Sequence, residues 1–256
     1  MSYSRIDKIL SHEGYGSRKV IRKILRECEV SVNGERIFDS GFSVDPDSDE
    51  IKIDGEVLNL RKNFYIMMNK PADFVSANKD GLHRTVFELL DQRFHTPFLE
   101  ENLHLVGRLD VDTEGLLLFT TDGALTHRIT SPKTHLFKSY FVTLRDGEEE
   151  GRRTEIASAF KKGIEIPPEG NEAGALLKPA ELDWKDEKNC ILSICEGKFH
   201  QVKRMFAAVG NEVVYLKRLS IGELKLDESL KTGEYRELTE EERKLLVENN
   251  QKSSVE

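Results

Sequence analysis

Residues 104–123 read H-L-V-G-R-L-D-V-D-T-E-G-L-L-L-F-T-T-D-G. The pattern predicts a short strand at 104–106, a tight loop carrying Arg108, Asp110, Asp112 and Glu114, and a very apolar strand at 116–120. Three carboxylates at alternate positions followed by Gly115 open like a calcium loop. The twelfth position of such a loop needs a bidentate Glu and here is Thr121. The flanks also have strand character, whereas an EF-hand needs two helices. Taken alone, Asp110 would do no more than pair with Arg108 and pin its loop.

Strand patterns lie on both sides of this stretch. Residues 64–68 form an apolar run leading into Asn69, Lys70 and Pro71, and further strands are expected at 139–144 and 191–195. Helical stretches are expected at 85–90, 154–162 and 200–209, with Gly210 ending the last. The fold class that follows is α+β. A catalytic-sized domain is expected over 61–235, after a linker at 61–63, and an acidic tail with a short helix at 240–247 over 236–256.

Two islands in this region are basic. Residues 126–140 (T-H-R-I-T-S-P-K-T-H-L-F-K-S-Y) hold Arg128, Lys133 and Lys138, contain no acid, and end in K-x-Y at Tyr140. Residues 196–206 (E-G-K-F-H-Q-V-K-R-M-F) put Val202, Met205 and Phe206 on one helical face. His200, Lys203 and Arg204 are then expected to face a cleft.

Residues 1–60 read as a separate small module. A short helix at 5–11 and a turn at 14–16 precede Ser17, a candidate N-cap. In the helix that follows, Val20, Ile21, Ile24, Leu25 and Cys28 form an apolar stripe, and Arg18, Lys19, Arg22, Lys23 and Arg26 lie opposite. Then come V-S-V with Asn33-Gly34, and a second strand, Asp54-Gly55 turn, strand unit at 51–60. The basic helix followed by V-x-V-N-G resembles the S4 (αL-type) RNA-binding module over most of residues 5–50.

With that module in front, G-R-L-D with x-x-T-x-G-L-L, K-x-Y and E-G-x-x-x-Q-V-K-R-M-F together resemble the S4-domain pseudouridine synthases. H-R-I-T-S-P, H-Q-V-K-R-M-F-A-A-V-G-N and G-E-Y-R-E-L-T-E-E-E are similar to the branch acting on small-subunit ribosomal RNA. The resemblance spans essentially the whole chain. It implies a mixed, largely antiparallel catalytic sheet, no cofactor, and isomerisation of uridine with the base flipped out. By the same resemblance Asp110 is the catalytic aspartate, as nucleophile or base, Lys203 its basic partner, and Tyr140 a stacking or proton-transfer group. Arg108 is a candidate to fill the emptied stack, and Lys70 a scaffold or phosphate contact. Arg128, Lys133, Lys138, His200 and Arg204 are expected around the RNA, with Arg18, Lys19, Arg22 and Lys23 on the S4 helix.

Charge agrees once it is resolved along the chain. The net charge is −8, but residues 1–30 carry seven Lys/Arg against four Asp/Glu, and residues 196–218 five against two. Residues 145–188 and 228–256 are net acidic, eight against twelve and five against eight. Phosphate binding depends on the local face, so the acidic total does not exclude RNA. Neither G-x-G-x-x-G nor G-x-x-x-x-G-K-[ST] occurs, and the three cysteines show no metal spacing, so no metal is expected. Without a signal-peptide or membrane-span pattern, a cytoplasmic monomer is expected, acting on small-subunit rRNA or the assembling particle.

Overall fold

Asn33 and Gly34 take left-handed φ angles of 51° and 83°, and Asp54 and Gly55 take 50° and 86°. Both pairs make the tight hairpin turns their residue types favour. The computed structural model describes residues 3–46, 48–60, 63–131 and 134–248, and the chain divides into two compact units.

The first unit comprises Met1–Phe64 and Leu90–His104. It contains α1 (Ile6–His12), α2 (Arg18–Glu27), β1 (Val30–Val32), β2 (Glu35–Arg36), β3 (Ile51–Ile53) and β4 (Glu56–Val57). The strands pair antiparallel in the order β2-β1-β3-β4. Ile6, Leu10, Ile21, Leu25, Val30 and Ile51 form its core. The apolar seam of α2 is centred on Ile21 and Leu25, which leaves Val20 on its flank and 45% exposed. Val20 is therefore not part of the buried stripe. Ser17 occupies the N-cap position with extended backbone, but its side chain does not cap.

Leu90–His104 falls in the catalytic span on sequence alone, yet it groups with this first unit. The ring of His12 lies 5.2 Å from that of Phe64 and 4.6 Å from that of Phe98. Phe98 sits on α3 (Pro97–Asn102), started by Pro97 and by Thr96, whose hydroxyl accepts from the Leu99 amide at 3.3 Å.

The second unit comprises Tyr65–Leu89 and Leu105–Glu256. Its elements are β5 (Tyr65–Lys70), β6 (Glu114–Thr120), α4 (Gly123–Thr130), β7 (Lys138–Leu144), α5 (Glu150–Lys162), β8 (Glu165–Ile166) and β9 (Ala175–Leu176). They continue with β10 (Glu181–Trp184), β11 (Asn189–Ile194), α6 (Gln201–Ala208), β12 (Val213–Ile221), β13 (Leu224–Lys225), β14 (Tyr235–Glu237) and α7 (Glu240–Glu248). The main sheet runs β10-β11-β7-β12-β6-β5-β14. Along that order β12 and β6 are parallel, and the other neighbours are antiparallel. The sheet is thus mixed and mostly antiparallel, and the chain as a whole is α+β.

From Gly115 to Thr120, β6 is buried throughout, as a strand covered on both faces must be. Leu125 and Ile129 of α4 and Leu246 of α7 pack with Met67, Leu116, Leu118 and Ile221. Residues 236–248 are accordingly part of this unit rather than an appended tail. β14 pairs with β5, and Arg236 binds Asp227 at 2.6 Å and Glu242 at 2.7 Å. The helical stretch expected at 85–90 is a 3-10 turn, Val86–Leu89. Among the described residues, no helix is long and apolar enough to cross a membrane.

Candidate active site

Gly115 brings two strands together. Its φ is +101°, and a Cβ there would meet the Arg218 carbonyl oxygen at 2.3 Å. Only glycine permits this approach, which sets β6 parallel to β12 with Gly115 opposite Arg218. The loop of residues 107–113 that precedes β6 is then fixed from two sides. The Ser76 hydroxyl donates to the Leu109 carbonyl at 2.7 Å and accepts from the Leu109 amide at 3.1 Å. The Lys70 ammonium, fully buried, donates to the carbonyls of Pro71, Val111 and Thr113 at 2.9, 3.2 and 2.8 Å. Burial pulls the Lys70 ammonium down to about 8, against the pull of Asp112 and Asp110. Lys70 is a scaffold for the loop and is not available to phosphate.

Asp110 projects from this frame into a pocket of about 90 Å³, whose walls include Arg108, Thr113, Tyr140, His200 and Leu216. Tyr140 is 7% exposed and pairs with Arg218 where the β7–β12 register shifts; such bulges re-aim a side chain. Beside Asp110 stand His200 Nε2, 3.8 Å from Oδ1, and Lys203 Nζ, 3.4 Å from Oδ2. The ammonium is nearer to Asp112, at 2.6 and 2.8 Å. Burial opposes ionisation of Asp112, but the hydrogen bond and charge of Lys203 bring its carboxyl below the usual range. Lys203 thus bridges two carboxylates, where the motif alone suggested one.

The loop before α6 is closed by Gln201, which donates to Glu196 at 3.3 Å and accepts from the Lys198 amide at 2.9 Å. Lys203 and Arg204, adjacent on α6, take opposite roles. Arg204 is buried and donates to the carbonyls of Pro167, Ala173 and Phe199 at 2.7–3.1 Å. It is a clamp on the backbone rather than an RNA contact.

Arg108 stands exposed at the pocket rim. Arg128 on α4 and Lys138 on β7 are half-buried and do not line the pocket. Burial, then the charge of Arg218, lowers the Lys138 ammonium from its ordinary value. Lys133 lies outside the described residues. On α2, the residues Arg18, Lys19, Arg22 and Lys23 are all exposed.

Four participants were not singled out from sequence for the site. These are Ser76, the pocket-lining Lys198, Glu169 and Arg218. Arg218 donates through Nε to the Leu116 carbonyl at 2.7 Å, and its Nη2 is buried without a hydrogen-bond partner. Its signal in sequence, a cation inside an alternating strand pattern, was present but weak. Among the described residues, no group of three or more His, Cys, Asp or Glu is arranged to hold a metal ion.

Comparison with known proteins gives a consistent result. The family described as RNA pseudouridylate synthase matches residues 64–208, and the S4 domain family matches residues 4–51. An uncharacterized RNA pseudouridine synthase of Bacillus subtilis is 46% identical, over 95% of this chain and 98% of its own. Ribosomal small subunit pseudouridine synthase A of Haemophilus influenzae is 43% identical, over 95% and 99%. A solved structure of a pseudouridylate synthase, 42% identical, covers 95% of this chain and 99% of its own, with a TM-score of 0.64. With its S4 module in front and its mixed sheet behind, the chain belongs to the RNA pseudouridine synthase family.

Proposed function

We propose that this enzyme isomerises one specific uridine of small-subunit (16S) ribosomal RNA to pseudouridine, with the base flipped into the Asp110 pocket and Asp110 as the essential carboxylate. The observation carrying the mechanism is the convergence of Asp110, Tyr140 and His200 on one small pocket, with the Lys203 ammonium beside Asp110 at 3.4 Å. The choice of RNA is supported by the small-subunit name of the Haemophilus relative and the near-complete overlap with it. The reaction breaks N1–C1′, turns the uracil and forms C5–C1′; C5 gives up a proton and N1 takes one. A carboxylate can divide that exchange into two easier steps, and a closing base would desolvate it. The Lys203 ammonium, 3.4 Å from Asp110 Oδ2, offsets the cost of that desolvation.

Tyr140, a wall of the pocket, would stack on the uracil or move a proton, and Arg108 would fill the vacated stack. The exposed cations of α2 supply phosphate contacts. The enzyme is read as a cytoplasmic monomer meeting either free RNA or the assembling particle, in keeping with three free cysteines.

Mapping pseudouridines in a strain lacking the enzyme tests the substrate. Loss of one small-subunit site is expected; loss of a large-subunit site alone would overturn that choice. Free uracil released from the RNA in vitro would instead indicate a hydrolase.

A further inference from the structure

Phe199 is 46% exposed, and a single exposed aromatic is ordinary on a protein surface. This one is held in place. Its ring stacks on that of His200, with centroids 3.7 Å apart and planes 21° apart. Consecutive side chains on a strand or a helix diverge, so two neighbouring rings need unusual backbone to lie face to face. His200 supplies it, with φ 46° and ψ 30°, a left-handed conformation rare outside glycine. The His200 ring is tied through Nδ1 to Glu169 at 3.0 Å, and the Phe199 carbonyl accepts from Arg204 Nη1 at 3.1 Å. Arg204 is in turn anchored on Pro167 and Ala173. Strained backbone maintained by surrounding bonds is a mark of a functional position.

The stack begins at the reacting group, because His200 lines the pocket and its Nε2 lies 3.8 Å from Asp110. Phe199 is the outer layer. We propose that Phe199, backed by His200, is a stacking platform for an unpaired base of the RNA next to the uridine in the Asp110 pocket. A flipped nucleotide leaves its neighbour with one open face, and an aromatic ring stacked on a pocket-lining residue covers such a face without reading which base it is. Glu169 and Arg204 are positioning residues for the platform.

This inference rests on the synthase reading, and its test separates the two. Tritium release from C5-labelled small-subunit rRNA is measured for wild type, Phe199→Ala and Phe199→Tyr, with circular dichroism confirming the fold. Base–aromatic stacking is worth roughly one to two decades of affinity. Phe199→Ala is therefore expected to raise KM about tenfold or more, with a smaller change in kcat, and Phe199→Tyr to recover most of the loss. A KM within about twofold of wild type for Phe199→Ala would overturn the platform. If wild type releases no tritium, the synthase reading fails, and filter-binding Kd values for the same RNA decide the platform separately. Binding about tenfold weaker in Phe199→Ala supports it, and equal binding overturns it.

Discussion

Helix α2 of the first unit and helix α6 of the second both carry closely spaced cations, with opposite fates. Arg18, Lys19, Arg22 and Lys23 on α2 are exposed. On α6, Lys203 bridges Asp110 and Asp112 while Arg204 is buried on backbone carbonyls. Beneath the loop of residues 107–113, Lys70 repeats the pattern of Arg204. A cation facing solvent draws phosphate from a distance. A cation turned inward fixes the geometry within which a carboxylate can react, and it must be satisfied in full.

The sharpest way to break this distinction is to remove an inward cation. Arg204→Met removes the bonds of a buried guanidinium to the carbonyls of Pro167, Ala173 and Phe199 and is expected to destabilise the second unit by on the order of 3 kcal/mol, read by urea denaturation. A change below about 1 kcal/mol would mean that its bonds are dispensable. Lys203→Met removes the ammonium that contacts both Asp110 and Asp112. Its kcat is expected to fall about a hundredfold with little loss of stability, and an unchanged kcat would remove Lys203 from the chemistry.

The outward cations come next. Lys19→Ala with Lys23→Ala should weaken RNA binding about tenfold and reduce the salt slope by about 1.5 to 2. The fold should stay intact, and an unchanged slope would show that α2 does not meet RNA. The smallest effect is in pH. Lys70 holds its proton to about 8 in the folded chain, below an ordinary value of 10.5. Between these values the unfolded chain binds more protons, so stability should rise with pH from about 8 to 10.5. Activity should instead fall a few-fold through about pH 8, as the amine loses one of three donors and its charge under the loop. A kcat flat from pH 7 to 9.5 would contradict this.

Much of this architecture is legible in the sequence because it is local. The Asn33-Gly34 and Asp54-Gly55 turns, the amphipathic α2, the apolar run of β6 and the stop at Gly210 depend on neighbours a few residues away. Asp110, Tyr140 and Lys203 also stand in patterns that mark them out; the fold brings Asp110 and Tyr140 to one pocket and Lys203 to within 3.4 Å of Asp110. Strand β12 is hidden because Lys217 and Arg218 interrupt its alternation, though Arg218 is buried. Which of two adjacent cations turns inward is not visible either. Lys203 and Arg204 lie about 100° apart on a helix, and only the β8–β9 segment, reached through Pro167 and Ala173, settles which one is clamped. The grouping of Leu90–His104 with the first unit depends on rings far apart in sequence, His12 and Phe98. Ser76 and Glu169 enter the site through partners 33 and 31 residues away.

In the proposed function the inward and outward cations both serve one carboxylate, so the most direct test addresses Asp110. Single-turnover tritium release from C5-labelled small-subunit rRNA, with wild type and Asp110→Asn at equal RNA occupancy, isolates the isomerisation from binding. The account predicts release by wild type and a loss of about a thousandfold or more in Asp110→Asn, with RNA affinity largely retained. Equal release by the two proteins would contradict it.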